Sequence, residues 1–275
     1  HPSGYAREVS ASGRTEMPNQ LRKERHGDVL VVTFCNLSRA NAVDDRVLLA
    51  LQGAINEAAD TGARAAVLTG AGGVFCAGYD LNALPTTPDR NWLKGHGELE
   101  ATLRLLREGP LPTVAALSGA AIGAGLEIAL SCDLRVAHSE VLVQMPPVKL
   151  GIVYTLEGIW RLATLCGAAK ARELLLLAEP IGAEAAHRLG LISRLVASDA
   201  VLDTACELAR KMAAQPRPAV LGTRRLIEHL LRSGPTLSEE QAEELLALRL
   251  ASWQSPEAHT ARQNQRNRRR RPDKD

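Results

Sequence analysis

Aromatic residues make up only 3% of the 275-residue chain. A base-stacking surface for single-stranded nucleic acid has little to be built from. Charge of one sign is also missing: 33 basic residues face 31 acidic ones, a formal net of +2, so no overall field selects a partner. No apolar run reaches the roughly 18 residues needed to cross a bilayer, and the polar opening His1 to Gln20 lacks the apolar centre of a secretion signal. It is expected to be a disordered leader over residues 1–20. The five cysteines, Cys35, Cys76, Cys132, Cys166 and Cys206, contain no C-x-x-C pair and are odd in number. That argues against a disulfide framework and a zinc site and fits a reducing cytoplasm; no metal ligands are assigned. Arg266, Arg268, Arg269, Arg270, Arg271 and Lys274 crowd the end of the chain. A solvated, frayed tail over 261–275 is expected there, in preference to a nucleic-acid site.

The chain is 45% hydrophobic, enough for one large core. Asp28 to Cys35 is rich in β-branched residues and reads as a strand; Asp44 to Asp60 has apolar residues at helical spacing up to Gly62. Arg64 to Thr69 reads as a buried strand followed by a glycine-rich loop, Gly70 to Gly78. The cycle recurs: a helix at Glu98 to Glu108, a strand at Thr113 to Leu117, glycines, and a helix at Gly125 to Cys132. Leu134 to Ala137 and Val141 to Gln144 are extended, and Thr155 to Cys166, Ala169 to Leu177 and Ala183 to Leu189 are helical. This alternation is the pattern of an α/β core over 21–200. Leu202 to Ala213, Ala219 to Arg232 and Leu237 to Ser252 are helical only, and predict a helical appendage over 201–260.

Two constellations follow strands. In Phe75-Cys76-Ala77-Gly78-Tyr79-Asp80-Leu81, Gly78 permits a bend that turns the next N–H into a cleft. In Ala120-Ala121-Ile122-Gly123-Ala124-Gly125-Leu126-Glu127, small residues bring backbone close to a ligand where a helix begins and its N–H groups are free. One N–H from each loop would hold a thioester oxygen and stabilise the charge of an enolate, an effect of about 3–4 kcal/mol per donor.

With these loops, the Asn41-Ala42 pair, G-A-A-I-G-A-G-L-E-I-A-L-S-C-D and G-A-E-A-A-H-R-L-G-L-I-S-R-L-V, the chain resembles the crotonase (enoyl-CoA hydratase/isomerase) superfamily from about Asp28 to Val196. The resemblance implies a spiral of ββα units, an α/β (α+β) fold with perpendicular sheets. It also implies a helical C-terminal trimerisation region, a homotrimer or a pair of trimers, and an acyl-CoA substrate with no cofactor beyond its coenzyme A moiety. It places the oxyanion hole at the N–H groups of Tyr79 and Ala124, with Gly78 and Gly123 shaping the two loops. Arg39, Ala40, Ala42 and the Ala77 backbone fall toward the adenine end. Glu127 falls on a catalytic glutamate; its place in a first helical turn favours ionisation and its apolar neighbours favour protonation.

The second glutamate of the family's hydratases is replaced by Pro147, which cannot transfer a proton. The run Met145-Pro146-Pro147-Val148-Lys149-Leu150-Gly151-Ile152-Val153-Tyr154-Thr155-Leu156-Glu157-Gly158-Ile159 is instead similar to the methylmalonyl-CoA decarboxylase branch, which puts Tyr154 on its active-site tyrosine. Loss of CO₂ from a 2-carboxyacyl thioester needs no base to start. It needs the carboxylate held perpendicular to the thioester plane in a dry pocket. Decarboxylation is therefore the leading expectation. Hydration or isomerisation through Glu127, with Glu157 as a substitute acid, is the alternative, and a non-catalytic acyl-CoA binder is a third. His96 is expected at the surface or on the pocket wall.

Overall fold

The computed structural model describes residues 20–90, 97–215 and 217–232, with individual positions between 239 and 267. The leader, His96 and most of the expected Leu237 to Ser252 helix and basic tail lie outside the described residues.

From Ala65 to Gln144 the chain gives its strands alternately to two sheets. The larger has the order β1 (Leu21–His26), β2 (Val29–Phe34), β3 (Ala65–Gly70), β5 (Thr113–Leu117), β7 (Leu134–Ala137), β10 (Arg194–Leu195); the smaller runs β4 (Val74–Cys76), β6 (Ala120–Ile122), β8 (Leu142–Gln144), β9 (Ile181–Gly182). Each turn of the chain adds one strand to the large sheet, one to the small sheet and then a helix. The helices are α2 (Glu98–Glu108) after β3 and β4, α3 (Ala124–Ser131) after β5 and β6, and α4 (Leu156–Leu176) after β7 and β8. This is the expected ββα spiral, and its internal strands pair in parallel.

The local signals explain most elements. β2, β3 and β5 are buried at every position, as strands covered on both faces must be. α1 (Asp45–Asp60) starts where the Asp44 carboxylate accepts the Val47 N–H at 3.0 Å, a side-chain cap. It then buries Val47, Leu48, Leu51, Ala54, Ile55 and Ala58 on one face. Thr155 caps α4 by accepting from Gly158 N at 3.2 Å, and Gly167, with φ 79°, breaks that helix into the two segments expected.

The structure departs from the sequence reading in four places. The Gly70 to Gly78 segment is not all loop: Val74–Cys76 is a strand, too short to show a period. β1 was not expected because it is an edge strand whose residues are mostly exposed and charged. The division after residue 200 is not a packing boundary. α6 (Val201–Ala213), which follows α5 (Ala183–Arg188), inserts Val201, Ala205, Cys206 and Ala209 against Val29, Val67, Val114 and Val136. It covers the second face of the large sheet, which would otherwise leave apolar strands in water. Finally, the tail is not simply solvated. Arg262, 7% exposed, donates to Leu150 O at 3.1 Å, and Arg266 Nε donates to Leu81 O at 2.8 Å.

α7 (Arg217–Arg232) is pinned by Arg224. Its guanidinium reaches Asp133 Oδ1 at 2.7 Å, Gly109 O at 2.8 Å and Leu106 O at 2.6 Å, so it binds carbonyls at the end of α2. Among the described residues no helix is long and apolar enough to cross a membrane. Arg224→Ala strands the Asp133 carboxylate, one member of a largely buried pair, and is expected to cost about 3 kcal/mol. Urea denaturation checks this; an unchanged midpoint would contradict the pinning role.

Candidate active site

The first loop is set by a bridge between Val43 and Tyr79. Val43 N donates to Gly78 O at 2.9 Å, and Asp80 N donates to Val43 O at 2.8 Å. The chain has no cis peptide among its described residues. In a trans peptide the N–H points opposite to the preceding C=O, so a Gly78 carbonyl turned to Val43 turns the Tyr79 N–H the other way. The second loop obeys the same geometry. Gly123 O accepts from Glu127 N at 3.0 Å, so the N–H of Ala124, first residue of α3, points back out of the helix as an orphan donor.

Gly78 brings the loops together. Its φ is +100°, and a Cβ there would lie 2.8 Å from Ile122 O and 3.6 Å from Ala124 N. No side chain fits in that gap, so the two backbones touch only because this residue is glycine.

Both loops open on a cavity of about 450 Å³. Of the residues predicted from sequence, Ala77, Gly78, Tyr79, Gly123, Ala124, Glu127 and Tyr154 all line it, as does Pro147. Arg39, Ala40 and Ala42 do not. They form a turn beside it, sewn to the first loop by Ala77 N donating to Ala40 O at 3.0 Å and by an Arg39–Asp80 ion pair. Asn41 is structural: its Nδ2 donates to Ala71 O at 2.9 Å and Val74 O at 2.7 Å. Glu157 is exposed and absent from the lining, which removes it as a substitute acid.

Glu127 is 3% exposed. Its Oε1 accepts from Arg161 of α4 at 3.0 Å, and both side chains are buried. Burial pushes the Glu127 carboxyl above the usual range, and the Arg161 charge pulls it back. The Tyr154 hydroxyl is buried and has no hydrogen-bond partner among the described residues. It sits near enough to Glu127 that burial first, and the carboxylate second, hold the phenol well above its ordinary value. The two groups act on each other by charge and as donor and acceptor at close range, although the hydroxyl falls short of full hydrogen-bond geometry. Tyr79 has its hydroxyl donated to Asp45 at 2.6 Å, and burial followed by Asp45 raises its pKa, so the phenol remains neutral.

Sequence reasoning missed a group of charges on the far side of Glu127. Glu100 of α2 lines the cavity and accepts from Arg107 at 3.1 Å; Arg107 also faces Glu228 of α7 at 3.4 Å. In sequence, Arg107 and Arg161 look like ordinary helix-surface residues. The one signal available was that Arg161 lies among apolar residues, in the run Ile159-Trp160-Arg161-Leu162.

The enoyl-CoA hydratase/isomerase family description matches residues 24–263, and the chain belongs to that family. It is an acyl-CoA enzyme of the crotonase superfamily. A protein of Mycobacterium tuberculosis named as a probable enoyl-CoA hydratase is 38% identical over 185 residues, covering 66% of this chain and 73% of the relative. The short-chain-enoyl-CoA hydratase of Clostridium acetobutylicum is 34% identical over 210 residues, covering 74% and 78%. A methylmalonyl-CoA decarboxylase bound to 2-nitronate-propionyl-CoA superposes with a TM-score of 0.85 over 94% of this chain and 98% of that one. At 23% identity this likeness speaks to the fold alone.

Gly158 gives Tyr154 its place. A Cβ there would lie 2.5 Å from the tyrosine ring. Gly158→Ala is therefore expected to displace the ring and cost about 1–3 kcal/mol through overpacking. A crystal structure of the variant with the ring unmoved would contradict this.

Proposed function

We propose that the chain decarboxylates a short 2-carboxyacyl-CoA such as methylmalonyl-CoA. The thioester oxygen lies between the N–H groups of Tyr79 and Ala124, and the Tyr154 hydroxyl orients the carboxylate. The C–CO₂ bond breaks, its electron pair enters the thioester carbonyl as an enolate held by the two N–H groups, CO₂ leaves, and the α-carbon then takes a proton. The Ala77, Gly78 and Gly123 backbone shapes the thioester channel, and the Arg39, Ala40 and Ala42 turn beside it receives the adenine end. The family resemblance implies a homotrimer or pair of trimers as the working unit.

The observation that carries this reading is the buried Tyr154 hydroxyl without a partner, facing a cavity in which Pro147 stands where a second proton-transferring carboxylate would be needed. A neutral donor can hold a carboxylate without adding charge against it, whereas an unsatisfied buried hydroxyl costs about 1–3 kcal/mol until something fills it.

A second reading is hydration or isomerisation of an enoyl-CoA through Glu127. It is favoured by the names of the relatives and by Glu100, which brings a second carboxylate to the cavity from α2. Mass-spectrometric product analysis on malonyl, methylmalonyl, crotonyl and longer enoyl thioesters separates the readings. Decarboxylation predicts propionyl-CoA from methylmalonyl-CoA, with kcat lowered about 10- to 100-fold in Tyr154→Phe, the loss of one hydrogen bond to a charged group. Hydrated crotonyl-CoA without propionyl-CoA would overturn it in favour of the second reading. Tight binding without turnover of any ester would indicate a non-catalytic acyl-CoA binder.

A further inference from the structure

One carboxylate stands between two donors. Glu127 Oε1 is taken by Arg161 Nη1 at 3.0 Å, while the Tyr154 hydroxyl beside it is buried and makes no bond among the described residues. We propose that Arg161 is a positioning residue: its contact at 3.0 Å fixes the place of the Glu127 carboxylate and favours its ionised form against the burial around it.

The surroundings make the arginine necessary. Glu127 is removed from water on every side, and burial favours its neutral form. From α2, Glu100 also opposes ionisation, whereas Arg107 favours it but is largely engaged by Glu100 and Glu228. From the loop before α4 comes Tyr154, and from α4 Arg161 itself. Arg161 is thus the cation in direct contact. Without it, burial would favour the protonated carboxyl with less to oppose it.

The removal of a contacting opposite charge raises a carboxyl pKa by about 1–3 units. In Arg161→Met the infrared C=O band of a protonated carboxyl should therefore appear near pH 7, and it should vanish in the Glu127→Gln, Arg161→Met double variant. The acid limb of kcat/KM on whichever thioester the enzyme turns over should move up by about 1–2 pH units. The direction follows for any reaction in which Glu127 works as the carboxylate, because the variant holds its proton to higher pH. Arg161→Lys should restore both readouts, and it also tests the idea if the methionine variant fails to fold. A methionine variant with no new band and an unmoved acid limb would overturn the inference. A lysine variant that folds but does not hold the carboxylate ionised would do so as well. The band needs no turnover, so its appearance in a protein that leaves methylmalonyl-CoA intact would uphold Arg161 and sink the decarboxylase reading. Propionyl-CoA formation without the band would do the reverse.

Discussion

Gly78 meets the carbonyl of Ile122 and the amide of Ala124 with no space for a side chain, and the site is organised around that contact. Two ββα turns far apart in sequence are brought edge to edge, each with a peptide group already committed on its outer side. The Gly78 carbonyl is held by Val43 and the Gly123 carbonyl by the first turn of α3. Peptide planarity then fixes the directions of the Tyr79 and Ala124 N–H groups without any side chain taking part. Donors set in this way need no reorganisation when negative charge develops in front of them, which is the condition for electrostatic stabilisation to be effective.

Behind the donors lies a charge network costly to bury. Glu127, Arg161, Glu100, Arg107 and Glu228 span α2, α3, α4 and α7. Such groups stabilise a fold less than apolar packing of the same volume would. Their value is positional: each guanidinium fixes the place of a carboxylate and opposes the upward push that burial gives its pKa. The C-terminal helical region is part of this arrangement, since α7 supplies Glu228 and is itself pinned by Arg224. Arg262 and Arg266 bind the Leu150 and Leu81 carbonyls, and both of those residues line the cavity. The far end of the chain thus braces one apolar patch of the pocket wall, where Leu81 and Leu150 pack together.

The parts of this architecture visible in the sequence are those encoded locally. β2, β3 and β5 announce themselves by continuous apolar runs, α1 by its Asp44 cap and spacing, and the two loops by glycines at the ends of strands. Glu127 and Tyr154 stand inside motifs, so they too were legible. What escaped is long-range. Val74–Cys76 is strand only because β6 pairs with it, and α6 belongs to the core only because a sheet face needs cover. An arginine shows its partner only once the chain is folded, as with Arg161 and Glu127. Glu157 and Arg161 lie four residues apart on α4 and both look solvated in sequence, yet one is exposed and the other is bound inside.

The most direct measurement is a crystal structure with a stable enolate-mimicking CoA ester bound. The thioester-type oxygen should lie about 2.7–3.1 Å from both the Tyr79 and Ala124 nitrogens. An oxygen that engages neither amide, or an acyl group seated away from the gap closed by Gly78, would contradict the account.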